Sequence, residues 1–278
     1  MMDEKTLLAN DTLLKSRFKR IDKTDIACLG EIAGPANVLQ DEQSLEDFSH
    51  DWTEDLSMPP EVVVKPGTAE ELAAVLAYCN EQLLPVTPAG GRTGLAAGVL
   101  PVFGGVSLSI ERLNQIREVD TQNLQVHTQA GVILEDLHNA VEAEGLFYPP
   151  DPSSKGSALI GATIATNAGG TTAVKYGITK DYVLDLQVAL PNGELVRTGA
   201  PVLKNSTGYN LSQLVTGSEG TLGIVTEASL KLVGLPKEDA SMLIPFSSSQ
   251  EAVTAVAAIL QQQLQPTALE FMEAEAVR

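Results

Sequence analysis

Apolar residues recur at a helical period in some stretches of this chain and at a strand period in others. The change of period marks the elements. Residues 61–65 enclose three valines and read as a short strand, and Pro66-Gly67 turns the chain. Thr68, with Glu71 three residues later, predicts a helix start with a capping box. Leu72, Val75, Leu76, Cys79 and Leu83 then fall on one helical face. Residues 85–88 form the next strand, so the unit reads β-α-β with two parallel strands.

Residues 105–110 and 124–128 also read as strands. Leu134, Leu137 and Val141 line a helix that stops at Gly145. A hairpin is predicted from residues 182–190, the turn Asn192-Gly193 and residues 194–198. Residues 224–233 alternate as a last long strand, broken by Gly234-Leu235-Pro236. Beyond it, residues 241–246 and 267–272 look like strands around a helix at 250–263. Residues 1–58 are more polar, with helical patches around 7–18 and 24–32, and are expected to pack as an arm on the main domain.

Composition narrows the function. Of 278 residues, 44% are hydrophobic and 19% charged, which is ordinary for a globular chain with a sizeable core. Acidic residues outnumber basic ones 36 to 18, a formal charge of −18 that repels nucleic acid and anionic lipid. Residues 1–10 lack an apolar signal segment, and no apolar run approaches the roughly 18 residues of a membrane-spanning helix. Two cysteines, Cys28 and Cys79, make neither a disulfide framework nor a metal cluster, so a cytoplasmic setting is expected. Cys79 reads as a small core residue. The histidines His50, His127 and His138 have no Ser, Cys or ligand partner at a telling spacing, so neither a triad nor a metal site is expected. His127 is expected to face solvent and His138 to sit at the edge of its helix face. No catalytic residue is assigned.

The 23 glycines are clustered. The first cluster, residues 88–95, runs Pro-Ala-Gly-Gly-Arg-Thr-Gly-Leu directly after a parallel strand. Glycine lets backbone N–H groups approach an oxyanion closely, Thr93 adds a hydroxyl and Arg92 a cation, so the loop suits a diphosphate; a plain tight turn would use the same glycines. It is neither the dinucleotide fingerprint nor a Walker A loop. The second cluster spans 149–170, with rigid prolines, then Gly156, Ser157, Gly161, Asn167, Gly169 and Gly170. So many small residues make a thin wall for something flat. The third, residues 217–226, leads into the last long strand and exposes backbone there.

The order and spacing of these stretches resemble the FAD-binding domain of the vanillyl-alcohol oxidase and p-cresol methylhydroxylase superfamily. The branch that is most similar holds the glycolate oxidase D subunit and the FAD-linked D-lactate and D-2-hydroxyglutarate dehydrogenases. The matching stretches are residues 59–66, 88–95, 147–152, 167–170, 175–177, 208–211 and 217–226. The resemblance implies an α+β, two-subdomain PCMH-type fold with an incomplete C-terminal substrate or cap domain. Its divisions would be an N-terminal helical arm at 1–58, the FAD-binding domain at 59–236 with subdomains about 59–148 and 149–236, and the start of the cap at 237–278.

The resemblance also assigns roles. Gly90, Gly91, Arg92, Thr93, Gly94 and Leu95 would hold the FAD diphosphate. Pro150, Asp151, Ser157, Gly161, Ala162 and Asn167 would line the ribityl chain and flavin, and Pro88, Ala165, Gly170, Tyr176 and Gly177 would also bind the cofactor. Glu219, Gly220, Gly223, Ile224 and Val225 would meet the adenosine end or the diphosphate. The first loop departs from the family's Arg-Gly-Gly-Gly-Thr: a cation is lost at Ala89 and gained at Arg92. Ala162 stands where the family has Gly, and Thr166 where Glu is common. Arg92 also occupies the place of the histidine to which some members link flavin, so FAD is expected to be non-covalent.

The implied activity is oxidation of a D-2-hydroxy acid (lactate, glycolate or 2-hydroxyglutarate), its hydride passing to flavin N5 and then to an electron acceptor or partner subunit. This chain would supply the FAD-binding half, because the relatives' substrate-gripping cations and metal-site histidines lie beyond the matching part. The alternatives are a non-catalytic FAD-binding subunit that needs a partner chain, and a plain anion-binding module.

Overall fold

The computed structural model describes residues 17–273 and 275–276. The helical patch expected at 7–18 lies almost wholly outside them. Helix α1, Lys23–Ala33, begins where the Asp22 carboxylate accepts from the N–H groups of Thr24 and Asp25, and Asp25 completes the capping box. The buried Asp25 carboxylate also accepts from Lys19 Nζ and the Tyr78 hydroxyl, each at 2.8 Å. The arm continues through strand β1, Val38–Leu39, and helix α2, Glu42–Asp47.

Strand β2, Val62–Val64, helix α3, Ala69–Gln82, and strands β3, Val86–Ala89, and β4, Val106–Ser109, complete the first sheet. Its order is β1-β2-β4-β3, with β1 antiparallel to β2 and the other pairs parallel. The β2-α3-β3 strands are parallel as expected, but β4 lies between them. The arm contributes β1, so it is part of this sheet as well as packed on it. Thr68 Oγ1 caps α3 by accepting from the Glu71 N–H at 3.1 Å. The Glu71 carboxylate reaches past Thr68 to the Gly67 N–H at 2.7 Å, so the return bond of the expected capping box falls one residue early. Leu72, Val75, Leu76 and Cys79 are buried. Leu83 departs from the expected face: it ends the helix in the left-handed region at φ +56° and turns outward.

The second half holds β5, Ile116–Asp120, β6, Gln125–Gln129, α4, Leu134–Glu142, β7, Leu146–Phe147, α5, Ile160–Ala165, and α6, Ala173–Tyr176. After these come β8, Val183–Ala189, β9, Leu195–Arg197, α7, Leu211–Val215, β10, Ile224–Lys231, and β11, Val233–Gly234. A five-stranded antiparallel sheet runs β5-β6-β10-β8-β9, and β7 pairs separately with β11. The β8–β9 hairpin turns at Asn192-Gly193, where Gly193 takes φ +84°, a conformation glycine adopts freely. β10 is central in its sheet and buried on both faces, so the clean alternation expected along it is absent.

The chain passes from the first sheet to the second between Ser109 and Ile116. Helix α8, Ser249–Gln261, forms as expected. Residues 241–246 and 267–272 form no strand, because a strand needs a neighbour to bond and none among the described residues pairs with them.

One apolar core joins the two sheets: Val62, Leu72 and Leu108 belong to the same cluster as Leu186, Val188 and Leu230. Val63 points to the other face of the first sheet, where it packs with Phe48 and Ala89. Cys79 is 1% exposed, and burial pushes its thiol pKa up to about 12, which makes it an inert packing group. His138 is buried, not peripheral: its Nε2 donates to the Pro150 carbonyl at 3.1 Å and its ring lies 5.9 Å from that of Tyr148. His127 does not face open solvent, since it is half-buried with Nδ1 2.8 Å from Ser229 Oγ.

Candidate cofactor site

A cavity of about 480 Å³ opens where elements of the two sheets meet. This lies within the roughly 300–1,000 Å³ of small-molecule sites. The loop leaving β3 forms one wall, α5 a second, and the approach to β10 with the start of that strand a third. These are the three glycine clusters, and they are fastened to one another. The N–H groups of Gly217 and Glu219 donate to the carbonyls of Ile164 and Ala165 at 3.0 and 2.9 Å. A Cβ on Gly90 would lie 2.6 Å from Ala162 Cβ, and one on Gly220 would lie 2.9 Å from Pro88 Cγ. Without side chains at these positions, the walls close on each other and leave backbone facing the cavity.

The first loop has the properties of an anion cradle. The backbone N–H groups of Gly91 through Ala96 have no acceptor among the described residues. Unpaired donors in such a loop are available to an oxyanion. The loop is held from outside. Gly94 accepts from the Trp52 N–H at 3.2 Å, and Ala97 donates to Asp51 Oδ2 at 2.9 Å. The Thr53 hydroxyl and the Ala97 N–H hold the Asp51 carboxyl below its ordinary pKa, so Asp51 stays an anion that anchors the loop.

Each cluster carries one non-glycine residue in the left-handed region: Arg92 at φ +56°, Asn167 at +50° and Glu219 at +52°. Such conformations cost energy and gather at functional sites. The charged lining residues are Asp51, Arg92 and Glu219. Ser218 also lines the cavity, and its buried hydroxyl has no partner among the described residues.

Among the residues expected to meet cofactor, Pro88, Gly90, Arg92, Thr93, Gly94, Leu95, Gly161, Ala162, Ala165, Glu219, Gly220, Gly223, Ile224 and Val225 line this cavity. Gly91, Pro150, Asp151, Ser157, Asn167, Gly170, Tyr176 and Gly177 do not. Gly91 packs its Cα side onto the Ser157 carbonyl, and Gly170 packs onto the Asp151 carbonyl. The Thr172 hydroxyl and His138 bond the Pro149 and Pro150 carbonyls, and Lys155 pairs with Asp151 at 3.0 Å. Asn167 accepts from the Lys180 N–H at 2.9 Å, and the Tyr182 hydroxyl donates to the Tyr176 carbonyl at 2.8 Å. These residues stand behind the wall and brace it.

Asp51, Ala96, Gly98, Val99, Ile110, Ala158, Thr163, Ala168, Val215 and Ser218 line the cavity without having been singled out from sequence. Most are small residues beside the recognised glycines. Asp51 comes from the arm, and nothing in its local sequence marks it.

Comparison with known proteins agrees with this geometry. Residues 60–199 match the FAD binding domain family, and residues 235–278 match the C-terminal domain of FAD linked oxidases. The chain is 45% identical over 262 residues to a D-lactate dehydrogenase of Anaerostipes hadrus, covering 94% of this chain and 55% of that protein. It is 40% identical to glycolate oxidase subunit GlcD of Bacillus subtilis (87% and 52% covered). It is 41% identical to a D-2-hydroxyglutarate dehydrogenase of Xanthomonas citri pv. viticola (86% and 51% covered). The chain thus spans about half the length of the curated relatives it matches. A solved structure of alkyldihydroxyacetonephosphate synthase has the same fold, with a TM-score of 0.77 at 21% identity, over 90% of this chain and 48% of that one. With the glycine clusters, the two-sheet cavity and the family match over half its length, this chain belongs to the FAD binding domain family.

Proposed function

We propose that this chain is the FAD-binding half of a dehydrogenase or oxidase that acts on a D-2-hydroxy acid such as lactate, glycolate or 2-hydroxyglutarate. One observation carries the reading: a cavity walled by backbone, with unpaired N–H groups at Gly91–Ala96 and one lining cation, in a chain whose relatives are named for those substrates. The unpaired donors, Arg92 and the partnerless Ser218 hydroxyl suit a diphosphate, and the thin wall of Gly161, Ala162 and Ala165 suits a flat ring. Bound FAD supplies the hydride acceptor for this chemistry.

The share of the chain's own residues is to bind and orient. The loop donors hold the phosphates, and the apolar lining from Ile110, Val215, Ile224 and Val225 excludes water. In this reading FAD is held without a covalent bond, since Arg92 stands at the loop position where some members of the resembled superfamily carry the linking histidine. In this reading the base, the substrate's carboxylate site and the contact with the electron acceptor or partner subunit come from the half of the relatives that this chain does not match. A cytoplasmic setting accords with the two free cysteines.

The test combines the purified chain with the corresponding C-terminal half of a relative and follows dye reduction by D-lactate, glycolate and D-2-hydroxyglutarate. The reading expects turnover of at least one acid and none by the L-enantiomer of lactate. FAD binding with no turnover of any 2-hydroxy acid in the reconstituted pair would favour a non-catalytic subunit.

A further inference from the structure

Phe48 lies outside the matched region of residues 60–199, yet its ring lies against Arg92, which lines the cofactor cavity. The Arg92 guanidinium stacks over it, with Cζ 4.2 Å from the ring centroid. We propose that Phe48 is a positioning residue for FAD: its ring holds the Arg92 guanidinium in the cavity as the cation that meets the diphosphate. The inference rests on the FAD reading of the site and adds a part supplied by the N-terminal arm.

Three observations carry it. First, Arg92 is the one cation among the described residues that line the cavity, and it has no carboxylate partner among them. A second cation, Lys65, lies 5.3 Å from the same ring, but its Nζ is spent on Glu111 at 2.6 Å. The nearby Asp51 carboxylate is spent on Thr53 and Ala97. A lining guanidinium with no direct ion-pair partner among the described residues can meet an anion.

Second, Arg92 occupies the left-handed region at φ +56°, where a side chain persists only when its surroundings hold it. The Phe48 ring is a contact that its side chain makes there. Third, Phe48 is itself fixed: it is 3% exposed, follows α2 directly, and packs with Val63 and Ala89. A guanidinium over a rigid aromatic face keeps its N–H fork free, because stacking uses the face and leaves the edge for oxyanions.

The experiment is FAD titration of the apo full-length chain by flavin fluorescence over a range of ionic strengths. The variants are Phe48→Leu, Phe48→Tyr, Arg92→Gln and the Phe48→Leu/Arg92→Gln double. Wild type should bind FAD with an affinity that weakens as salt rises. Phe48→Leu, which keeps apolar packing, should bind about tenfold more weakly and with a shallower salt dependence. Arg92→Gln should do the same, the double variant should add little, and Phe48→Tyr should restore wild-type binding.

Phe48→Leu with wild-type affinity, or with weaker affinity and an unchanged salt dependence, would overturn the proposal. So would an Arg92→Gln protein that binds FAD as wild type does; that variant sits at a cavity-lining position and does not disturb the core. Wild-type protein that binds no FAD would instead sink the FAD reading itself.

Discussion

Leu230, near the end of β10, and Leu232, just after it, are fully or nearly buried, while Met242 and Leu243, a short way along the chain, are 86% and 83% exposed. The two stretches look alike in sequence, each apolar and strand-like. They differ in what lies beside them. β10 has β6 and β8 on its flanks and a core on its face, whereas residues 241–246 have no neighbouring strand among the described residues. Helix α8 forms in that same segment, since a helix makes its bonds within itself. Its apolar residues Val253, Val256 and Leu260 stay exposed. Secondary structure in the 237–273 segment is thus local, while in the body it is shared, and the cavity draws every one of its described lining residues from the body.

The largest effect expected from this contrast is on stability. Leu230→Ala should cost roughly 2–5 kcal/mol, because it empties a fully packed site. Leu243→Ala should stay within about 0.5 kcal/mol. Urea unfolding measures both, and similar costs at the two positions would break the contrast.

Within the body, Gly91→Val should abolish FAD retention, since its side chain would collide with the Ser157 carbonyl. Cys79→Ala, in the core but away from the cavity, should retain flavin. The flavin-to-protein absorbance ratio after gel filtration decides this. A smaller effect concerns His138. Burial lowers its pKa, so the native protein holds it neutral while the unfolded chain protonates near pH 6.5. The unfolded state therefore binds more protons just below that pH. The stability linked to His138 is full above about pH 6.5 and is lost as pH falls toward the native value. His138→Gln should show a smaller drop in Tm between pH 7.5 and pH 5.5 than wild type. The smallest effect expected is on flavin binding when the outer segment is cut. Limited proteolysis should cleave first between β11 and α8, leaving the body and its FAD affinity unchanged within about twofold.

What could be read from sequence follows the same division. Thr68, the Asn192-Gly193 turn and the face of Leu72, Val75 and Leu76 are local signals, and the structure follows them. The insertion of β4 between β2 and β3, and the transfer of β5 and β6 to the second sheet, are long-range pairings that no local period encodes. The glycine clusters were legible because close approach demands glycine. Asp51 and Phe48 were not, since an acidic or aromatic residue in a polar arm carries no mark of the loop it supports. The left-handed conformations of Arg92 and Glu219 run against local preference, so only the folded chain reveals them.

The most direct test of the account is the flavin content of the purified full-length chain after reconstitution with FAD. The account predicts a flavin absorption spectrum with about one FAD per chain, released entirely into the supernatant by acid precipitation. Absence of bound flavin, or flavin that stays with the denatured pellet, would contradict it.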